Sequence, residues 1–294
     1  MKGNGLIFPG QGSQFVGMAK KKYEECKSAR ELLNEANDIL GFDLRSLMFE
    51  GPEEKLRLTE YAQPAIFVAS AMAFECYKRM EEGFSVVAGH SLGEYSALYV
   101  SGAVSFKDGL QLVRKRGIEM GRENSKGMMH AILGISIDSI KKSIQKCNGK
   151  VEIANINSDT QIVISGSNNE MVIAVREIES QHSGTVTIKK LEVSAPFHCF
   201  MMEEAKKTME KEIDKISFSI PTVPVIPNVT AVATRDVETI RESLKAQITS
   251  TVNWLDTILT MKEMGISKFY EVGEGDVLKK INKVITLRPK CYSV

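Results

Sequence analysis

The sequence predicts an α/β fold: a parallel sheet whose strands feed helices through glycine-rich turns, interrupted midway by a smaller α+β unit. Three observations predict it. Two short apolar runs, 6–8 and 84–88, end abruptly in glycine-rich loops, Pro9-Gly10-Gln11-Gly12-Ser13 and Gly89-His90-Ser91-Leu92-Gly93, as buried parallel strands do before a helix. Helical periodicity follows each loop. Residues 128–193 then run strand, helix, strand, strand, helix, strand, with turn residues between the elements.

Each element has a local reason. Pro and two Gly within 9–13 force a tight loop with accessible backbone N–H groups. Helices are expected over 29–40 and 63–80, with Pro64 in the first turn of the second, where its missing N–H is harmless. Residues 65–77 are apolar on most sides, as in a buried helix. The helical pattern resumes over 94–100 and again from about 106 to 124, with a stop near Asn124 to Gly127. In the insert, strands are expected at 129–135, 151–155, 161–165 and 185–193, and helices at 137–147 and 169–179. Asn148-Gly149, Asn157-Ser158-Asp159 and Ser183-Gly184 supply the turns. The order βαββαβ is that of a ferredoxin-like domain, whose first and last strands can be neighbours, so the insert leaves and rejoins the main body at one place. The chain therefore divides into 1–127 and 194–294, two parts of one large domain, around a small domain at 128–193. Ala195-Pro196-Phe197-His198 is expected to open a further helical segment. Pro221, Pro224 and Pro227 punctuate a stretch holding Val223, Val225 and Ile226. Helices at 237–247 and 254–264 and a strand at 268–272, ending in Gly273-Glu274-Gly275, complete the reading.

Composition excludes several function classes. Lys plus Arg number 38 and Asp plus Glu 37, a net charge of +1, so no electrostatic reason exists to expect nucleic acid. Five cysteines at 26, 76, 147, 199 and 291 contain no CxxC pair, which argues against a disulfide scaffold or a thiolate metal site. No apolar run reaches the roughly 20 residues of a membrane helix. A cytoplasmic monomer with no metal or resident cofactor is the expectation. GQGSQ lacks the G-x-G-x-x-G spacing that seats a pyrophosphate.

Gly89-His90-Ser91-Leu92-Gly93 fits G-x-S-x-G between an apolar strand and a helix, the setting of the nucleophile turn in α/β-hydrolase-like folds. Small residues two before and two after Ser91 allow the sharp turn, and the Leu92 N–H then points toward a developing oxyanion. A serine needs a base, and four histidines exist, at 90, 130, 182 and 198. His90 adjoins Ser91 and so leaves the turn in another direction, in a supporting role. His130 belongs to a strand of the insert and His182 to a polar turn. His198 follows a rigid segment where the insert returns to the main body, at the domain junction where a cleft belongs. No single Asp stands out to orient it; a backbone carbonyl or an amide can do so. Read from the residues alone, the constellation serves either acyl transfer or hydrolysis.

The Ser91 turn, the Pro9–Ser13 loop and the Ala195-Pro196-Phe197-His198 segment together resemble the malonyl-CoA:acyl-carrier-protein transacylase family, including the discrete acyltransferases that serve polyketide synthases in trans. Phe8-Pro9-Gly10-Gln11-Gly12-Ser13-Gln14 resembles its opening signature, and Thr59-Glu60-Tyr61-Ala62-Gln63-Pro64-Ala65 its T-x-x-x-Q-P segment. Gly89-His90-Ser91-Leu92-Gly93-Glu94-Tyr95 is similar to its nucleophile motif, Arg114-Lys115-Arg116-Gly117 to its carboxylate-binding segment, and Ser194-Ala195-Pro196-Phe197-His198 to the segment of its histidine. The resemblance implies a ping-pong transfer of malonyl from coenzyme A to the phosphopantetheine thiol of an acyl carrier protein or a polyketide synthase carrier domain. It implies Ser91 and His198 as the catalytic pair and the backbone N–H groups of Gln11 and Leu92 as the oxyanion hole. Arg116 would receive the malonyl carboxylate, whose bidentate geometry suits a guanidinium. Gln247 and Gln63 would join it at the substrate, the Gln247 carbonyl orienting His198. Two departures stand out. Gly273-Glu274-Gly275-Asp276 replaces a usual Gly-Pro-Gly-Lys, and His130 replaces a usual Ala.

Overall fold

The computed structural model describes residues 3–80, 82–122, 127–286 and 288–294. Among the described residues nine strands form two sheets. Strands β1 (Gly3–Phe8), β2 (Val86–Gly89), β7 (Val225–Ile226), β8 (Ile266–Glu271) and β9 (Lys290–Ser293) make a five-stranded parallel sheet in the order β7-β2-β1-β8-β9. Strands β3 (Gly127–Leu133), β4 (Val151–Ser158), β5 (Gln161–Ser167) and β6 (Thr187–Lys190) make a second, antiparallel sheet in the order β4-β5-β3-β6. The first and last strands of this second sheet are paired, His130 opposite Lys190 through Leu133 opposite Thr187.

The parallel sheet buries both faces, because successive side chains alternate across it. Leu6 and Phe8 join Val87 and Val225 in a core beneath the long helices Thr59–Lys78 and Phe106–Gly121. Ile7, Val86, Ala88 and Ile226 face the other way, onto Trp254, Ile258 and Met261 of the helix Trp254–Glu263. Helix starts follow side-chain capping: Asp43, Ser105, Ser136 and Asp236 each accept the N–H three residues on.

Several expectations need correction. The helix expected from 63 begins at Thr59, so Pro64 lies inside it. An interior proline strands the carbonyl four residues back. Here that carbonyl, on Glu60, accepts from the Arg114 guanidinium, which explains how the helix tolerates it. The 84–88 strand is displaced to 86–89, and the 185–193 strand shortens to 187–190. Residues 195–198 do not open a helix; His198 has φ 58°, and the helix Glu203–Ile213 starts later. Short helices at Lys20–Glu25, Leu44–Glu50, Glu53–Arg57 and Val277–Lys283, and strand β9, carried no periodicity long enough to announce them. Of the expected helix stop near Asn124, residues 123–126 lie outside the described residues. Among the described residues no helix is long and apolar enough to cross a membrane.

Candidate active site

The site forms where β1 and β2 end side by side, Phe8 opposite Gly89. Their loops pack so closely that only glycine fits. A Cβ on Gly10 would stand 2.5 Å from the His90 carbonyl oxygen, one on Gly89 1.9 Å from the Gly93 carbonyl carbon, and one on Gly93 2.1 Å from the Phe8 oxygen. The spacing of G-x-S-x-G is thus a demand for close approach. Between these glycines Ser91 adopts φ 52°, a left-handed conformation unfavourable for a residue with a Cβ. The helix Gly93–Val100 follows with Leu92 as its N-cap, so the Leu92 N–H belongs to the unpaired first turn.

Ser91 and His198 meet. Ser91 Oγ is 2.7 Å from His198 Nε2, and His198 Nδ1 is 2.9 Å from the Gln247 carbonyl oxygen. A carbonyl only accepts, so Nδ1 carries the proton and Nε2 is free to take one from Ser91. Burial, reinforced by the nearby Arg116 charge, pushes His198 down to about 3, so the imidazole is neutral at physiological pH. His90 is turned away: its Nε2 lies 2.8 Å from Asn157 Oδ1 and its ring 5.5 Å from that of Trp254. His130 sits half-buried on β3, and His182 caps the helix Asn168–Gln181.

Arg116 is 1% exposed, and its Nη2 donates to both Ser91 Oγ and Gln247 Oε1 at 3.0 Å. Its guanidinium carbon lies 5.6 Å from the Tyr95 ring centroid, and its Nε has no hydrogen-bond partner among the described residues. Nor does any carboxylate among them come within ion-pairing distance. A buried cation held only by neutral groups is costly unless an anion completes it. Gln11, Gln63, His90, Ser91, Arg116, Met120, Met129, Asn155, Leu191, Val193, Phe197 and His198 enclose a cleft of ≈ 100 Å³ between the two sheets. That is about three water volumes, room for a short acyl chain. A second cavity of ≈ 350 Å³ shares Gln11, Leu191 and Val193 with it and opens past Arg57 and Glu192.

Gln63 lines the cleft, and its Oε1 has no hydrogen-bond partner among the described residues. Gln247, expected to touch substrate, does not line it. The residue is fully buried, and its amide is spent on Ser91, Glu94 and Arg116, so it reaches the reacting atoms through His198 and Arg116. Glu94, Asn155, Asn157 and Asn228 were given no role by sequence reasoning, and all four border the site or support it. Glu94 carried a signal, an acid inside an otherwise apolar helix. Asn228 carried only its place after Pro227, at the end of a short parallel strand, where such sheets gather functional groups. The departure at 273–276 is accommodated: Glu274 pairs with Lys22 at 2.9 Å, and Asp276 with Lys280 at 2.7 Å.

The acyl transferase domain family matches residues 6–283. The chain is 39% identical over 294 residues to a malonyl CoA-acyl carrier protein transacylase of Bacillus subtilis, covering 98% of this chain and 92% of the relative. It is also 39% identical to a polyketide biosynthesis malonyl CoA-acyl carrier protein transacylase from the same organism, covering 92% and 93%. The chain belongs to the malonyl-CoA:acyl-carrier-protein transacylase family. The crystal structure of a family member from Clostridium perfringens superimposes with a TM-score of 0.94 at 35% identity, over 99% of this chain and 93% of that one. A malonyl-transacylase solved in complex with its type II polyketide acyl-carrier protein gives 0.94 at 32% identity, over 99% and 96%. The likeness to transacylase family structures thus spans both sheets and the cleft between them.

Proposed function

We propose that this chain moves a malonyl group from malonyl-CoA to the phosphopantetheine thiol of an acyl carrier protein, through an acyl-serine on Ser91, for fatty-acid or polyketide synthesis. Ser91 Oγ attacks the thioester carbonyl carbon and passes its proton to His198 Nε2. The backbone N–H groups of Gln11 and Leu92 receive the oxyanion. The carbon–sulfur bond then breaks, and the coenzyme A thiolate leaves with the proton from His198. In the second half, the carrier thiol gives its proton to His198, its sulfur attacks the ester carbon, and Ser91 departs reprotonated. Nucleophile, base and oxyanion donors suffice for both halves, so the proposal includes no resident cofactor.

The observation that carries this reading is the buried guanidinium of Arg116, 3.0 Å from Ser91 Oγ and without a carboxylate partner among the described residues. A malonyl carboxylate would supply the missing anion, and an acetyl group would not. Gln63, on the same cleft wall, is assigned to the acyl group. The larger adjoining cavity past Arg57 suits the thioester arm. The relative solved with its carrier protein supports a carrier as acceptor. We read the Ser91 turn as a nucleophile elbow, supported by its φ and its glycine contacts. The second sheet is read as a ferredoxin-like insert at 128–193, supported by its strand order and the pairing of its first and last strands. The test is intact mass spectrometry after incubation with malonyl-CoA. A malonyl adduct is expected on the protein, absent in Ser91→Ala and discharged by an acyl carrier protein. Free malonate released at a rate indifferent to the carrier would make the chain a thioesterase instead.

A further inference from the structure

Beneath the Ser91 turn lies a fully buried polar cluster of Glu94, Asn228 and the Gln247 amide. Asn228 grips the turn from both sides. Its Oδ1 accepts the Ser91 N–H at 2.7 Å, and its Nδ2 donates to the Gly89 carbonyl at 2.6 Å. Gln247 Nε2 donates to the Ser91 carbonyl at 3.0 Å, so both backbone groups of the nucleophile are held. Glu94 in turn holds the holders: its Oε2 accepts the Asn228 N–H at 2.9 Å and Gln247 Nε2 at 2.8 Å. Gln247 then reaches Arg116 through Oε1 and His198 through its carbonyl oxygen. Neither Glu94 nor Asn228 lines the cleft.

We infer that Glu94 and Asn228 are positioning residues for acyl transfer, fixing Ser91, His198 and Arg116 as one unit by placing hydrogen-bond acceptors rather than by supplying charge. A non-glycine residue at φ 52° persists only where its surroundings over-determine it, and these residues do so. Burial pushes Glu94 up to about 7, yet Oε1 has no hydrogen-bond partner among the described residues. A proton taken there leaves Oε2 accepting from both neighbours, so either protonation state holds the turn.

The inference rests on Ser91 being the nucleophile, and its test is chosen to separate the two ideas. A fluorophosphonate reports serine nucleophilicity with no thioester, carboxylate or carrier involved. Its second-order rate with Ser91 is measured for the wild type, Glu94→Gln, Glu94→Leu and Asn228→Ala, with cooperative unfolding as the folding check. Glu94→Leu and Asn228→Ala are expected to react about a hundredfold more slowly, the loss that an ångström of misplacement brings. Glu94→Gln, which restores an acceptor at the same place, is expected to recover the rate to within about threefold. A folded Glu94→Gln about a hundredfold slower than the wild type overturns the inference, even if the other two variants do not fold. Wild-type rates in Glu94→Leu and Asn228→Ala overturn it equally. A wild type labelled at Ser91 yet never loaded by malonyl-CoA would sink the proposed function and leave this inference standing; a wild type that is never labelled sinks both.

Discussion

The two walls of the cleft are held in different ways. On the parallel-sheet side, the Ser91 turn is closed by glycine contacts and by hydrogen bonds with Asn228 and Gln247, two fully buried residues. On the antiparallel-sheet side, the wall is largely apolar, with Met129, Leu191 and Val193. Its attachment is itself uneven. Near β4 the backbone of Ile156 and Ala154 bonds to Val252, and Thr251 Oγ1 donates to the Ile153 carbonyl at 2.6 Å. Near β6 the visible ties are the Thr59–Ser194 hydroxyl contact and an ion pair between Arg57 and Glu192, whose side chains are 57% and 88% exposed. Buried polar contacts are costly to break and exposed ones are not. The difference teaches that the reacting atoms are built on the first wall by buried polar contacts, while the second is held at its β6 edge by apolar packing of Leu191 and Val193 and by few polar ties.

The sharpest way to break this comparison is at Arg116, which belongs to the first wall and faces the substrate. Arg116→Ala is expected to lower malonyl loading of Ser91 about a thousandfold, equivalent to ~4 kcal/mol. Acetyl loading should fall by no more than about tenfold, because acetyl has no carboxylate to leave unpaired. Single-turnover loading with the two thioesters measures both. Equal losses would remove Arg116 from carboxylate recognition and leave it only its hydrogen bonds to Ser91 and Gln247.

The same contrast governs what the sequence could reveal. Ser91 and His198 were legible because each sits in a local pattern that its backbone requires: close-packed glycines around one, a rigid Ala-Pro-Phe before the other. Gln11 and Gly10 were legible for the same reason. Asn228 was not, because its function lies in a contact with a residue 137 positions away and its own neighbourhood imposes no periodicity. Glu94 was visible as part of a motif, but only folding reveals that its partners are Asn228 and Gln247. The helix start at Thr59 was misplaced because the first-turn rule for proline was applied where Arg114, from another helix, covers the freed carbonyl. Long-range compensation of this kind leaves no trace in local spacing. The two sheets were largely legible from alternation and turns, whereas β9 and the short helices depend on packing against neighbours already in place.

A smaller effect sharpens the account of the first wall. Burial moves His198 down to about 3 from an ordinary value near 6.5, and Glu94 up to about 7 from one near 4.5. Below pH 6.5 the unfolded chain binds a proton at His198 that the folded chain refuses, so that contribution to stability falls as pH drops. Between about pH 7 and 4.5 the folded chain holds a proton on Glu94 that the unfolded chain lacks, so that contribution rises as pH drops. His90, also depressed by burial, acts in the same sense as His198. Glu94→Gln removes the opposing member. Between pH 7 and pH 5 the variant should therefore lose more stability than the wild type, by on the order of 2 kcal/mol, read from urea unfolding at the two pH values. Parallel curves would mean that Glu94 is ionised in the folded chain throughout this range.

The smallest effect is expected at the β6 edge, and its smallness is the point. Arg57 reaches Glu53 at 2.8 Å and Glu192 at 3.3 Å across the outer cavity. Both pairs are open to solvent, where the gain in Coulomb energy is offset by ordering two long side chains and by screening. Arg57→Gln should leave the unfolding midpoint and the rate of Ser91 loading by malonyl-CoA indistinguishable from wild type at 0.15 M salt. If the β6 edge must shift to admit the thioester arm, the same variant should raise the loading rate at low salt, where the pair is least screened, and the advantage should vanish as salt is added. A loss of loading at every salt concentration would instead make Arg57 part of the substrate's path, and the second wall would then share in binding as directly as the first.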